Sequence, residues 1–111
     1  MLPKPQRLNL KKDFKWVASG KKLESKYLKL FIKFGDNEIV RVGIAVSSKT
    51  FGKASARNRV RRLTSTAFEA FYPTLPKSIN ILALPKAGIS NVKSQDVLLD
   101  LGSVLKEAQI I

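Results

Sequence analysis

Between positions 57 and 62 the chain sets four arginines and one asparagine: Arg57, Asn58, Arg59, Arg61 and Arg62. A guanidinium is a rigid planar fork of donors that matches two phosphate oxygens at once, and an asparagine amide both donates and accepts. Arginines four apart on a helix stand roughly 6 Å from one another, close to the interval between successive phosphates of one strand. These residues therefore suit a folded polyanion backbone and need no base reading. A merely solvated helix face mixes its signs. Here no Asp or Glu occurs from Ile39 to Phe68, a span holding seven Lys or Arg, Lys49 and Lys53 among them.

A second group with chemistry in it is the alternation Tyr27, Lys29, Phe31, Lys33. Aromatics stack bases at ~1–3 kcal/mol each, and lysines between them follow a backbone with little sequence preference, the requirements for holding a single strand. The competing expectation is that the first or last helix covers this face and makes it core.

Bond-breaking chemistry is poorly served. Histidine and cysteine are absent, which removes the commonest general base, the commonest metal ligand and every disulfide. The eight acids (Asp13, Glu24, Asp36, Glu38, Glu69, Asp96, Asp100 and Glu107) are scattered, and no pair has a spacing that suggests a two-metal site. Asp96 and Asp100 share a helix face, on a helix otherwise devoted to packing. No catalytic residue and no protein-bound metal or cofactor is expected.

The elements that must position these groups follow from periodicity and breakers. Residues 1–10 read as extended, with Pro3 and Pro5 opposing helix. A short helix over about 10–19 follows, Asn9 its N-cap and Gly20 just past its end. Leu10, Phe14 and Val17 share a face of it, and Trp16 points elsewhere. Residues 26–34 alternate as a strand with Leu28, Leu30 and Ile32 inward. Gly35-Asp36-Asn37 reads as a hairpin turn into a returning strand over 39–47, with Val40, Val42, Ile44 and Val46 inward. The small residues Gly43 and Ala45 on its other side would leave a shallow trough. The arginine helix runs from about Ala54 to Phe71, closed by Pro73 and Pro76; Ala56, Val60, Leu63, Ala67 and Phe71 form its buried stripe, and Arg59 projects from the opposite flank to Arg61. Residues 79–84 are nearly all apolar, the pattern of a strand covered on both faces. A last helix over 95–108 is capped by Ser94, and Gly102 inside it marks a close helix approach. With one more short strand near the loops, the order is α-β-β-β-α-β-α, an α+β two-layer sandwich.

The whole chain of 111 residues fits one domain, long enough to bury about two-thirds of its unfolded surface. Lys and Arg total 21 against 8 acids, a net +13, which predicts an anionic partner and salt-sensitive association. No stretch approaches the ~18 apolar residues of a membrane span, and no apolar leader precedes the first helix. With cysteine absent, a cytoplasmic location is expected.

The stretch Val42-Gly43-Ile44-Ala45-Val46-Ser47, then Lys49, Gly52, Ala54 and Arg57-Asn58-Arg59-Val60-Arg61-Arg62, resembles the signature of the bacterial ribonuclease P protein subunit. Arg7-Leu8 followed by Asp13-Phe14 matches its opening, and the order of elements fits across nearly the whole chain. The resemblance implies a four-stranded sheet of the ribosomal protein S5 domain 2-like type, with a left-handed βαβ crossover against the usual hand. It implies that Lys49, Lys53, Arg57, Asn58, Arg59, Arg61 and Arg62 dock on the catalytic RNA. Phe14 and Phe31 match positions lining a cleft for the 5′ leader of precursor tRNA, a face the sequence alternation extends to Tyr27, Lys29 and Lys33. The RNA subunit with Mg²⁺ performs the hydrolysis, and no obligate protein partner is expected. The chain departs from the family pattern at Ser65, where a further arginine is usual, at Ala18, where a second aromatic is common, and at Leu84. The rival readings are a ribosomal-protein-like RNA binder without a processing role, a DNA-binding module and a membrane-surface helix; the last is weakened by the apolar face the basic helix turns to a core.

Overall fold

The computed structural model describes residues 2–111. Three helices, α1 (Leu10–Ala18), α2 (Ala54–Phe71) and α3 (Ser94–Glu107), surround strands β1 (Lys21–Glu24), β2 (Leu28–Phe34), β3 (Arg41–Ile44) and β4 (Ile79–Pro85). The strands form one mixed sheet in the order β1-β2-β4-β3, with β3 parallel to β4 and the other pairings antiparallel. Between the parallel pair the chain crosses over through α2. The architecture is the α+β sandwich with four strands that the sequence predicts.

The expected hairpin is not formed. Gly35-Asp36-Asn37 does turn the chain, but β4 inserts between β2 and β3, so the two strands never pair. Local turn chemistry reported the reversal, whereas the apolar β4, buried at all but one of its residues, wins the central place by covering both faces. Its one polar residue, Asn80, is buried and clamps the turn: its Nδ2 donates to Asn37 Oδ1 at 2.9 Å and to Lys33 O at 3.2 Å. Nor are the opening residues simply extended. Lys4–Gln6 make one 3₁₀ turn with proline in its first positions, after which Arg7 bridges to Val42 and Leu8 N donates to Val42 O at 3.1 Å.

One sheet face carries Leu28, Leu30, Ile32, Val40, Val42, Ile79, Ile81 and Ala83 against Val60, Ala67 and Phe68 of α2 and Val97, Leu101, Val104 and Leu105 of α3. Each large side chain buried here contributes about 1.5–3 kcal/mol. The helices meet where Gly102 faces Phe71; a Cβ at Gly102 would lie 2.8 Å from Phe71 Cζ, so the close approach is real. Thr64 and Ser65 join Val60, Ala67 and Phe68 as the buried positions of α2, while Leu63 and Phe71 are half-covered, so the stripe is rotated slightly from the expected one.

The opposite sheet face is partly covered. Val17, Leu10 and Ala18 of α1, together with Leu8, pack on Leu82, Phe31, Ala45 and Leu84. The trough foreseen at Gly43 is filled: a Cβ there would meet Leu10 Cδ2 at 2.7 Å and Leu8 Cβ at 3.0 Å. The start of α1 is set by Asn9, whose side chain accepts from Lys12 N, and the helix ends at Ser19. Gly20 beyond it is required by proximity alone, since a Cβ would stand 2.2 Å from Ile32 O. The start of α3 lies one residue before the expected one. Ser94 is its first residue, and the cap is reversed: Asp96 accepts from Lys93 N at 3.1 Å.

Candidate nucleic-acid interface

The first half of α2 and the loop before it hold the arginine cluster. No side chain caps the N-terminus of α2 and no acid lies in its first turn, so its free N–H groups add to the field of Lys49 and Lys53, both exposed. The arginines then divide by what they hold. Arg57 Nη1 donates to Phe51 O at 2.9 Å and Gly52 O at 3.0 Å, drawing the loop back over the helix start. Arg59, on the opposite flank as its spacing predicts, donates from Nη1 to Ser90 O and from Nη2 to Val92 O at 3.0 Å, tying α2 to the 3₁₀ turn Ala87–Asn91 ahead of α3. Arg61 Nη1 donates to Asn58 Oδ1 at 3.0 Å, which aims both side chains outward together. Arg62 is exposed and makes no hydrogen bond or ion pair among the described residues. Each guanidinium has five donors, so even Arg57 and Arg59 keep several free. The result is a set of cations held by neutral acceptors, their charge uncompensated.

The second surface is the α1 side of β1 and β2. Register places Lys22 opposite Phe31 and Glu24 opposite Lys29, so Lys22, Lys29, Phe31 and Lys33 share this face with the flank of α1. Phe31 packs on the small α1 core with an edge left open. Phe14, expected to share the buried face with Val17, is 38% exposed. Trp16, 40% exposed, stands beside Gly35, and Lys33 Nζ lies over its ring at 5.1 Å while bonding Ser19 Oγ at 2.9 Å. Three aromatics (Phe14, Trp16 and Phe31) and three lysines (Lys22, Lys29 and Lys33) therefore line this side. Glu24 of β1 is bound by Lys86 at 3.2 Å and has Lys22 at 3.9 Å; the hydrogen bond and charge of Lys86 hold its carboxyl below the usual range.

Tyr27 does not belong to this face. It precedes β2, where residues 25–27 turn beneath α3: Asp100 accepts from Ser25 Oγ at 2.6 Å, Tyr27 N at 2.9 Å and Lys26 N at 3.1 Å. The alternation stops at the strand's end, and the Tyr27 ring packs on the main core with Lys26 Nζ 5.4 Å from its centroid. Sequence reasoning missed Lys22, because the four-residue β1 is too short to show a period; Gly20 and Ser25 bracketing it were the available signal. Asp100 and Asp96 both serve local backbone, and among the described residues no cluster of three acids could hold a metal ion. No helix among them is long and apolar enough to cross a membrane.

The two surfaces adjoin, since Arg61 of α2 and Leu10 of α1 line one cavity.

A family model described as Ribonuclease P matches residues 2–109. The ribonuclease P protein component of a Pseudanabaena species is 32% identical over an alignment of 113 positions, covering 100% of this chain and 97% of the relative. The solved structure of the RNase P protein from Thermotoga maritima, in complex with 1-(4-fluorophenyl)-2-thiourea, superposes with a TM-score of 0.80 at 30% identity, covering 90% of this chain and 97% of that one. The RNase P protein of Staphylococcus aureus shares the fold, with a TM-score of 0.82 at 20% identity over 95% of this chain and 96% of that one.

Proposed function

The chain belongs to the ribonuclease P protein family, and on that premise we propose that it assists removal of the 5′ leader from precursor tRNA by holding two RNAs on its two basic surfaces. It is the protein component of the holoenzyme and associates with the ribonuclease P RNA. Lys49, Lys53, Arg57, Asn58, Arg59, Arg61 and Arg62 dock on that RNA. Phe14, Phe31, Lys29 and Lys33, with Lys22 beside them, hold the single-stranded leader by stacking and backbone charge.

The observation that carries this reading is the arginine set itself: guanidiniums aimed by backbone carbonyls and by Asn58, with no acid among their partners in the described residues. Such cations keep their full charge for phosphate, and the counterions released on contact make binding strongly salt-dependent. The chain's own carboxylates do not fit a Mg²⁺ site, since Asp96 caps a helix, Asp100 closes a turn and Glu24 pairs with Lys86. Mg²⁺ is accordingly assigned to the RNA subunit, where it supplies the hydrolytic chemistry. The protein's residues bind, orient and offset repulsion between the two polyanions. The cytoplasm, where tRNA precursors are made in bacteria, is the location that fits.

The test is the affinity of the assembled ribonucleoprotein for precursor against mature tRNA. The protein should tighten precursor binding more than mature binding, with the difference growing as the leader lengthens over its first few nucleotides. Equal effects on both substrates would remove the leader from the proposal.

A further inference from the structure

Trp16 belongs neither to the core nor to the residues assigned above to either RNA, yet the fold holds it in place. Its indole rests on the backbone of Gly35, where a Cβ would stand 2.8 Å from Trp16 Cη2. Lys33 Nζ lies 5.1 Å from the ring centroid and donates to Ser19 Oγ at 2.9 Å, while Ser19 Oγ donates to Trp16 O at 2.6 Å. The residue is 40% exposed all the same. A large aromatic fixed in orientation and left open to water is a ready platform, because little side-chain entropy remains to be lost on contact.

Its place on α1 says what would reach it. Val17 points to the sheet. At about 100° per residue, Phe14 and Ala18 lie on one flank and Trp16 on the other. Ala18 is too small to stack, so the Phe14 flank carries one aromatic and the second stands across the helix. Lys11, Lys15, Ser19 and Lys12 fill the outer arc between the two flanks, all of them exposed. Asp13, half-buried, falls on the inner side of Trp16. Aromatics on opposite flanks with lysines between them cannot enter an apolar layer together, which argues against a membrane surface. They do match a single strand, whose bases stack while its phosphates meet lysines. The strand cannot slip around the end of α1, because α1 passes directly into β1 through Ser19 and Gly20, and Gly20 lies against Ile32. It must cross the lysine arc. For a helix about 10–12 Å across, that half-turn is about 17 Å long, or about three phosphate intervals of roughly 6 Å.

We propose that Trp16 is a second stacking platform for the precursor leader, taking a base about three nucleotides beyond the one at Phe14. The strand crosses α1 with its phosphates on Lys11, Lys15 and Lys12. The base slides onto the indole, and Lys33, whose cation–π contact is weak at an exposed site, turns to the adjoining phosphate. Stacking on an indole accepts every base, so this contact reads leader length and not leader sequence. The proposal deepens the leader-binding reading and rests on it for the source of the strand.

The experiment uses the holoenzyme reconstituted with ribonuclease P RNA, and precursor tRNAs whose leaders grow one nucleotide at a time. Affinity of the parent should rise as the leader reaches the Phe14 and Phe31 face, and rise again about three nucleotides later. Trp16→Ala should keep the first rise and lose the second, about tenfold for long leaders, the worth of one stacked base. Trp16→Phe should restore most of it, and mature tRNA should bind all three proteins alike. Lys12→Ala with Lys15→Ala should lower the salt slope by about 1.4 for long leaders and leave it unchanged for short ones. Trp16 is the chain's one tryptophan, so its fluorescence should be quenched by long leaders and not by short ones. A Trp16→Ala holoenzyme that binds every leader as the parent does, an equal loss for mature tRNA, or fluorescence blind to leader length would each overturn the proposal. Fluorescence that answers to phosphatidylglycerol vesicles and to no leader would assign the ring to a lipid surface and overturn it too. A first rise without a second overturns this proposal and leaves the leader reading standing, whereas no rise at all overturns both.

Discussion

Arg59 and Arg62 are three residues apart on one helix, and the structure gives them separable jobs. Arg59 bonds Ser90 O and Val92 O, fastening α2 to the turn before α3; Arg62 reaches solvent with no partner among the described residues. Both are exposed, so the bonds of Arg59 are discounted to about 0.5–1 kcal/mol each, or about 1–2 kcal/mol together. At this chain length that is about 4–8 °C in melting temperature. Arg59→Ala should show that loss, and Arg62→Ala should melt like the parent. For binding to the ribonuclease P RNA the two should look alike, each lowering the slope of log K against log salt by about 0.7–0.9 per phosphate contact removed. Arg59→Lys refines the comparison, because an ammonium keeps the charge but loses the fork that spans two carbonyls. It should keep the salt slope and lose about half as much stability as Arg59→Ala. Thermal melts and filter binding across a salt series measure both quantities. An Arg59→Ala protein as stable as the parent, or an Arg62→Ala protein with an unchanged salt slope, would refute the division.

Phe31→Ala should weaken precursor tRNA binding and spare mature tRNA, at a stability cost of about 1–2 kcal/mol, below the full core value because the ring is only part-buried; competition binding with both tRNAs reads it. Gly102→Ala should destabilise by about 1–2 kcal/mol although alanine is the better helix former, because its Cβ would meet Phe71 Cζ at 2.8 Å; a melting temperature at or above the parent's would count against that contact. Tyr72 donates its OH to Val40 O at 2.6 Å, and burial raises its pKa. A raised folded-state value means that this contribution is complete below the ordinary tyrosine pKa of about 10 and is lost as pH rises through the folded value. Tyr72→Phe should cost about 1 kcal/mol at neutral pH and flatten the alkaline limb of the stability profile.

Much of this molecule was legible from local chemistry. The 3.6-residue period and Pro73 delimit α2 at its observed ends, Asn9 and Ser19-Gly20 do the same for α1, and Gly102 announces the helix contact it makes. What escaped was the non-local part. The pairing partner of β2 is decided by burial of β4 on both faces, and a Gly-Asp-Asn turn reports only that the chain reverses, not which strand fills the gap. Tyr27 has the parity of Phe31 but lies outside the strand, where Asp100 of α3, 73 positions away, sets the backbone. Ser65 reads as a gap in an arginine column, and only the packing of the N-terminal arm reveals that it borders a cavity.

The central claim is that the protein works by holding RNA and that the cutting is done by its RNA partner. Reconstitution with a bacterial-type ribonuclease P RNA at low Mg²⁺ tests it most directly. The protein alone should leave precursor tRNA intact, the RNA alone should cleave poorly, and together they should release the 5′ leader at a much higher rate with tighter substrate binding. Addition of the protein that changes neither cleavage nor affinity, or cleavage by the protein without RNA, would contradict it.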